Sequence, residues 1–455
     1  MEERRPGYQS RAAVRSNANP MAELLVVFCI MCRLGFPGNL AMVFGGERVN
    51  TLIDYGSSML QVVLILIGSG ATVMEIRLLD LKKKNYIIYL MLLVMFATSL
   101  LVSQNRVKQM TIIIRFSITA LFGLWLADEF ETEHLLNLIY LAQVGIVFAN
   151  LLTLFVFRGA GFHYDDGYGY TFRGLYTQKN GLGGEIALGT VFQLSLMGFR
   201  RRRGERISMS FLAILCVQIG LLLYSKATTA TFCAVLALVY LWIYNHLPGK
   251  PLHLQWGILY TVVSIGFLFV AMTILPLFAP LLEAIGKDAT LSNRTPMWQK
   301  IIDFMMENNT MTGYGLLQFW ETPTALKALQ SSYERNSWFR SMAYGAHSNL
   351  LEFWLDLGLV GLAMYFLTLV MCFRDVKYLT REQYILCTVI MIPILIGGLT
   401  DRQFTNTNSK TMFMFVMMGT ACSGSAQKAE LLRARPRRTI GAGGEADTRA
   451  ANPKE

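Results

Sequence analysis

GKDATLSNRTPMW (residues 286–298), GYGLLQFW (313–320) and AHSNLLEFWLDLGLVG (346–361) belong to one stretch of the chain. It is polar and irregular up to His347, then turns into an apolar run that reaches Phe373 and carries only Glu352 and Asp356 as charges. An apolar run of about 20 residues or more is long enough to cross the hydrocarbon core of a bilayer, so this boundary reads as an aqueous loop entering a membrane helix. Reactive chemistry is expected at that water–lipid boundary, where Arg294 and His347 stand.

The rest of the chain has the same character. Of its 455 residues, 53% are hydrophobic and 16% charged, which fits one polytopic helical bundle better than soluble domains. The net charge is +11, but the basic residues stand in short clusters between apolar runs. That pattern is topogenic, unlike the basic face of a nucleic-acid binder. The seven cysteines lie in or at the ends of apolar runs, so no disulfide framework is expected. Cys29 and Cys32 read as buried apolar groups and not as a metal or redox pair. The first apolar run is too long for a removed signal peptide and is expected to stay as a span.

Twelve spanning runs are expected, at 21–44, 51–74, 86–103, 110–127, 135–157, 182–198, 208–224, 230–246, 255–279, 349–373, 384–400 and 409–424. With the N-terminal tail (1–20) cytoplasmic, this count brings every dense basic cluster to the same side. Those clusters are Lys82 to Lys84, Arg200 to Arg203 with Arg206, Lys250, Arg374 with Lys377 and Arg381, and the RARPRR string at 433–438. Residues 21–424 then form the membrane domain and 425–455 a disordered basic cytoplasmic tail. The opposite face receives the loops 158–181 and 281–347 and the turn at 225–229. Within the long loop, Thr295 followed by Pro296 reads as a helix start. Trp298, Ile301, Ile302 and Met305 then recur at helical spacing, as in a helix lying on the bilayer surface.

Several outer-loop residues carry candidate chemistry. Arg173 and Lys179 precede Asn180 at the start of a helix, a place that favours an anion through free N–H groups and the helix dipole, unless the two cations only snorkel to headgroups. Tyr164, Tyr168, Tyr170 and Phe172 suit either sugar stacking or an interfacial aromatic belt. Lys226 stands at the outer end of a helix and faces substrate or headgroup. The planar fork of Arg294 suits phosphate oxygens, with a salt bridge to Asp288 as the structural alternative. His347 is a candidate base or a hydrogen-bonded bystander. Glu352 and Asp356 follow it on one helix face, and carboxylates inside a span need partners or water, so a wet pocket is expected there. Asp165 and Asp166 lack a third ligand at useful spacing, so no metal and no cofactor is expected.

Five strings in order, R-G-L-Y-T-Q-K-N-G-L-G (173–183), S-K-A-T-T-A (225–230), N-R-T-x-x-W (293–298), G-Y-G-x-x-x-F-W (313–320) and A-H-S-x-x-L-E-x-x-x-x-x-G-x-x-G (346–361), resemble the O-antigen ligase/polymerase superfamily of bacterial inner-membrane proteins. The resemblance covers roughly residues 110–400. The G-Y-G-x-x-x-F-W string is most similar to the branch named for the exopolysaccharide production protein ExoQ, taken to be Wzy-type polymerases. Two departures stand out: Gln178 where histidine is expected, and Ser348 where asparagine is expected.

The resemblance implies an all-α polytopic protein of about twelve transmembrane helices, a GT-C-like bundle with a large extracytoplasmic loop containing short helices. It implies metal-independent, inverting transfer of glycan from an undecaprenyl-pyrophosphate-linked oligosaccharide to an acceptor glycan, on the outer face of the inner membrane. Carried over, Arg294 and Arg173 hold pyrophosphate and His347 activates the acceptor. Lys179, Asn180, Lys226, Tyr314, Trp320 and Glu352 are further substrate-binding candidates. Membrane lipid, a flippase and a chain-length regulator are the implied partners, with no nucleic acid. The alternatives are a ligase that moves finished glycan to a lipid or other acceptor, and a transporter or lipid-glycan flippase. A transporter would place polar residues at the bilayer midplane, often in repeated halves, and no repeat is visible.

Overall fold

The computed structural model describes residues 20–68, 86–165, 169–246, 256–280, 294–308, 310–323, 327, 345–373, 379–402 and 408–434. The readings made on residues 1–19, Lys82 to Lys84, Asp166, Tyr168, Lys250, Asp288, Arg374, Lys377 and 435–455 lie outside them.

Helices dominate. In chain order they are α1 (Pro20–Arg33), α2 (Leu40–Phe44), α3 (Glu47–Gly68), α4 (Tyr86–Val102), α5 (Arg106–Glu129), α6 (Thr132–Phe155) and α7 (Arg158–Gly161). A hairpin of β1 (Phe162–Asp165) and β2 (Gly169–Phe172) follows, antiparallel, with Phe162 opposite Phe172. Next come α8 (Lys179–Arg202), α9 (Met209–Tyr224), α10 (Thr228–His246), α11 (Trp256–Phe269), α12 (Arg294–Glu307), α13 (Asn349–Phe373), α14 (Arg381–Met391), α15 (Gly397–Thr400) and α16 (Ser409–Ala434). Among the described residues, five helices (α3, α5, α6, α8 and α13) are long and apolar enough to cross a membrane, and four shorter apolar helices accompany them. This is the architecture of an essentially all-α, multi-pass membrane protein; the described residues do not by themselves establish the expected count of twelve spans.

Three of the expected runs are interrupted, each for a local reason. The run 21–44 stops after the 14 residues of α1, a rise of only about 21 Å. Gly35 (φ 104°), Pro37 and Gly38 (φ 48°) then turn the chain before α2 begins. The run 384–400 passes through a π turn, Ile392–Ile396, which contains Pro393, before α15. The run 349–373 is kinked at Gly358 (φ 64°, ψ −169°), in a backbone region open essentially to glycine alone. The C-terminal tail also differs from expectation, since helix continues to Ala434.

The kink at Gly358 is where the GYG string docks. Tyr314 N donates to Leu355 O (2.9 Å) and Gly315 N to Asp356 O (2.7 Å), while Leu359 N donates to Thr310 O (3.0 Å). These loop bonds replace the ones the helix gives up. A Cβ at Gly358 would run into the Met311 carbonyl, and one at Gly313 would stand 2.6 Å from Gly358 N. Gly358→Ala is therefore expected to cost at least about 2 kcal/mol, from backbone strain plus the clash. Thermal unfolding of purified protein in detergent checks this.

The break after α1 serves a second loop. Asn39 donates its backbone N–H to Leu175 O (2.9 Å) and its side chain to Gly174 O (3.0 Å), and Tyr176 Oη donates to Leu34 O (2.6 Å). Residues 173–178 are thereby fixed at the head of α8. The far end of α8 carries Arg200, Arg201 and Arg202, about 36 Å away over its 24 residues. There Arg200 donates to Asn137 Oδ1 (2.7 Å) and Arg203 pairs with Glu133 (2.6 Å) at the start of α6. The basic cluster and the 173–178 loop thus sit at opposite ends of the bundle.

Helix α16 runs through the middle. Met412, Phe413, Met414, Phe415, Val416, Met417 and Met418 are all 0% exposed, as in a helix that is apolar all round. Gly123 of α5 lets it approach closely, since a Cβ there would meet the Met412 carbonyl. This packing fixes Ser409 and Lys410, at the head of α16, against α8.

Candidate functional site: two cavities around Asp401

His347 is held by residues behind it. Trp298 Nε1 donates to Ala346 O (2.7 Å), and Ala346 N donates to Glu352 Oε1. Trp320 Nε1 donates to Glu352 Oε2 (3.0 Å), and Arg402 Nη1 lies 3.6 Å from the same oxygen. Three of the residues that stood out in the sequence, Trp298, Trp320 and Glu352, thus clamp the backbone at residue 346. The next residue, His347, takes φ 50°, uncommon for a side chain with a Cβ, and the clamp holds it there.

This arrangement corrects two expectations. Glu352 and Asp356 are both 0% exposed and do not open a wet pocket; Glu352 is satisfied by two N–H donors and a guanidinium instead. The apolar stripe of α12 does not lie down on lipid either. Trp298, Ile301 and Met305 are 0% exposed and pack with Phe319, Leu351 and Leu355 in a second core cluster. Helical periodicity shows which face is apolar, but protein and lipid satisfy that face equally well. Glu352→Gln keeps the shape but turns an acceptor into a donor facing donors, so it should leave one N–H unsatisfied, at about 1–3 kcal/mol. Purified Glu352→Gln is expected to unfold at lower temperature than wild type.

Asp401, just past α15, joins the pieces. Its Oδ1 lies 3.3 Å from His347 Nδ1 and accepts the Arg402 backbone N–H at 2.8 Å. One small cavity, of about 40 Å³, is lined by Asp401, Arg294, Lys410, Asn180 and Thr229 together with apolar residues that include Leu188, Cys233 and Ile394. A second and larger one, of about 370 Å³, is lined by Asp401 and Lys410 again, with His347, Arg33, Gln178 and Glu185. Asp401 and Lys410 are thus a shared wall. Lys410, 8% exposed, lies 3.7 Å from Glu185 Oε1, which also accepts the Ser409 hydroxyl at 2.6 Å. Gly184 leaves room for that ammonium, since a Cβ there would stand 3.2 Å from Lys410 Nζ.

The electrostatics follow from these neighbours. Burial pushes the Asp401 carboxyl upward, but the His347 hydrogen bond and the charges of His347, Lys410 and Arg294 outweigh it and hold Asp401 below the usual carboxylate range. Burial draws Arg294 down from the usual guanidinium value, with Asp401 opposing, and an arginine keeps its charge there. Among the described residues, no group of three His, Cys, Asp or Glu side chains stands close enough to hold a metal ion.

Arg294 and His347 are therefore brought to one carboxylate, and Asn180 joins Arg294. The other candidates fall elsewhere. Arg173 lines neither cavity and donates through Nη1 to Thr177 O (3.3 Å) within its own loop. Lys179 also lies off both linings, between Gln178 and Asn180, which are on them. Lys226 is exposed, with φ 53°, beside Ala227 of the first cavity. Tyr314 packs its ring against Phe304 and Phe319, away from both cavities. The sequence reading passed over Asp401, Arg402, Lys410, Glu185 and Arg33. Its one available signal was the polar string DRQFTNTNSK (401–410) between the last two apolar runs.

Residues 211–366 match a family model described as O-antigen ligase. The match covers 156 of the 455 residues and falls within the stretch whose strings resemble the O-antigen ligase/polymerase superfamily. A search of curated proteins found no match. The matched segment carries Lys226, Arg294, the GYG string and His347. Asn180, Asp401 and Lys410 lie outside it in sequence, yet they line the cavity that Arg294 lines.

Proposed function

We propose that this chain belongs to the O-antigen ligase/polymerase superfamily and is a polysaccharide polymerase, closest in character to the ExoQ-type branch. It transfers glycan from an undecaprenyl-pyrophosphate carrier to a hydroxyl of an acceptor glycan on the outer face of the bacterial inner membrane. The observation that carries this reading is the placement of Arg294 and the His347–Asp401 pair on two sides of one wall. A diphosphate is already a competent leaving group, so its departure needs cations more than an acid. Arg294 and Lys410 supply them, and the apolar wall of Leu188, Cys233 and Ile394 suits the prenyl chain.

The acceptor oxygen attacks the anomeric carbon, and the bond from that carbon to the diphosphate oxygen breaks. With Nδ1–H donated to Asp401, Nε2 of His347 is free to take the acceptor proton. A single displacement of this kind inverts the anomeric centre. It requires no metal, because the two side-chain cations hold the developing charge. The basic cluster at the far end of α8 supports a cytoplasmic placement for that end and an outward placement for the cavities.

Incubation of the purified protein with a defined polyprenyl-pyrophosphate oligosaccharide, followed by product sizing, tests this. Lengthened lipid-linked chains are expected; movement of substrate across a proteoliposome without any glycosidic bond formed would instead establish a transporter. The description of the family model favours a second reading, ligation. Cells lacking the gene separate the two: loss of a polymerase leaves single repeat units, and loss of a ligase leaves long chains stranded on the carrier.

A further inference from the structure

Gln178 and Asn180 are two positions apart at the head of α8, yet they line different cavities. The cavities also differ in charge. In the first, Arg294 makes no hydrogen bond or ion pair among the described residues, so a cation is left for an anionic ligand. In the second, every lysine and arginine has a carboxylate in ion-pair reach: Arg33 with Asp54 (3.4 Å), Lys410 with Glu185 (3.7 Å) and Arg402 with Glu352 (3.6 Å). An anion entering there would have to displace a carboxylate, so a neutral ligand rich in hydroxyl groups is favoured.

The remaining groups of the second cavity suit such a ligand. The carboxamides of Gln178 and Asn408 and the Thr177 hydroxyl offer both donors and acceptors. Glu185 is 4% exposed, and its Oε2 has no hydrogen-bond partner among the described residues, an acceptor that a ligand hydroxyl would satisfy. His347 lines this cavity and not the first, which is where a base for the attacking hydroxyl has to stand.

Resting on the transfer reading above, we propose that the second cavity is the acceptor-sugar subsite and that Gln178 selects the acceptor by hydrogen bonding to its hydroxyls. The donor diphosphate occupies the first cavity, and the Asp401–Lys410 wall separates the two.

The test uses the full chain in lipid nanodiscs with two probes in titration calorimetry. One is a neutral, lipid-free oligosaccharide released from the polymer of the source cell, and the other is inorganic pyrophosphate. Gln178 is exposed and its side chain does not cap α8, so Gln178→Ala removes no fold contact. It is expected to weaken oligosaccharide binding at least about tenfold and to leave pyrophosphate binding unchanged; Arg294→Ala should do the reverse. Gln178→Glu, which keeps the size and adds a charge, is expected to lose the oligosaccharide as well. Wild-type protein that binds no oligosaccharide, or Gln178 variants that bind it as wild type does, would overturn the subsite. Should both probes behave as stated while no lipid-linked donor yields product, the transfer reading fails and the subsite stands.

Discussion

Arg294→Ala is expected to lower the rate of glycan transfer by about 10²–10³-fold, the scale on which a group stabilising charge in the transition state acts. The guanidinium lines the cavity with Asp401 as its electrostatic neighbour but with no hydrogen bond or ion pair to it at contact distance, so its donors are open to a ligand. Water screens such a charge less than it would at the surface, and a diphosphate leaving group arriving there gains most as the glycosidic bond breaks. Arg294→Lys should recover about tenfold of the loss, since it restores the charge without the planar fork. Single-turnover rates on a defined lipid-linked donor measure both. A rate for Arg294→Ala within threefold of wild type, at equal protein level, would remove the residue from the site.

His347→Ala is expected to cost on the order of 10²–10⁴-fold, the range for losing a general base. Asp401→Asn should approach the same loss, because an amide in place of the carboxylate no longer fixes the tautomer that leaves Nε2 free. The two act as a unit, so the double variant is expected to be no worse than His347→Ala alone. A pH experiment separates orientation from mere folding. The folded-state pKa of Asp401 lies below its ordinary value of 3.8. The stability it contributes is therefore present above the unfolded value and is lost only as pH falls through the lower folded value. Wild type should thus melt above Asp401→Asn at neutral pH, with the gap closing as pH drops below about 3.9. A gap that stays constant down to low pH would mean that the carboxylate charge contributes nothing.

Much of this was legible in the chain itself. The change of character at His347, the apolar runs and a helix starting at Thr295 and Pro296, just after Arg294, follow from hydropathy and spacing, and the structure brings Arg294 and His347 to a common carboxylate. Hydropathy does not register backbone breaks, however, so the interruption at Gly35 and Pro37 and the kink at Gly358 were read as continuous spans. A motif string also does not reveal which way its side chains point. Trp320 and Glu352 read as substrate contacts, but they turn away from both cavities and hold Ala346. Arg173 was expected beside Arg294, but the docking of its loop on Leu34 and Asn39 leaves it off both linings. Asp401 and Lys410 were missed because a ten-residue polar string between apolar runs looks like any other. Their importance comes from α16, whose buried course delivers Lys410 to Glu185.

The most direct measurement is a structure of the protein with a polyprenyl-diphosphate glycan bound. The expected map shows the diphosphate in contact with Arg294 and Lys410, with the anomeric carbon turned toward His347 across Asp401. A diphosphate held away from Arg294, or seated in the cavity lined by Gln178 and Arg33, would contradict it.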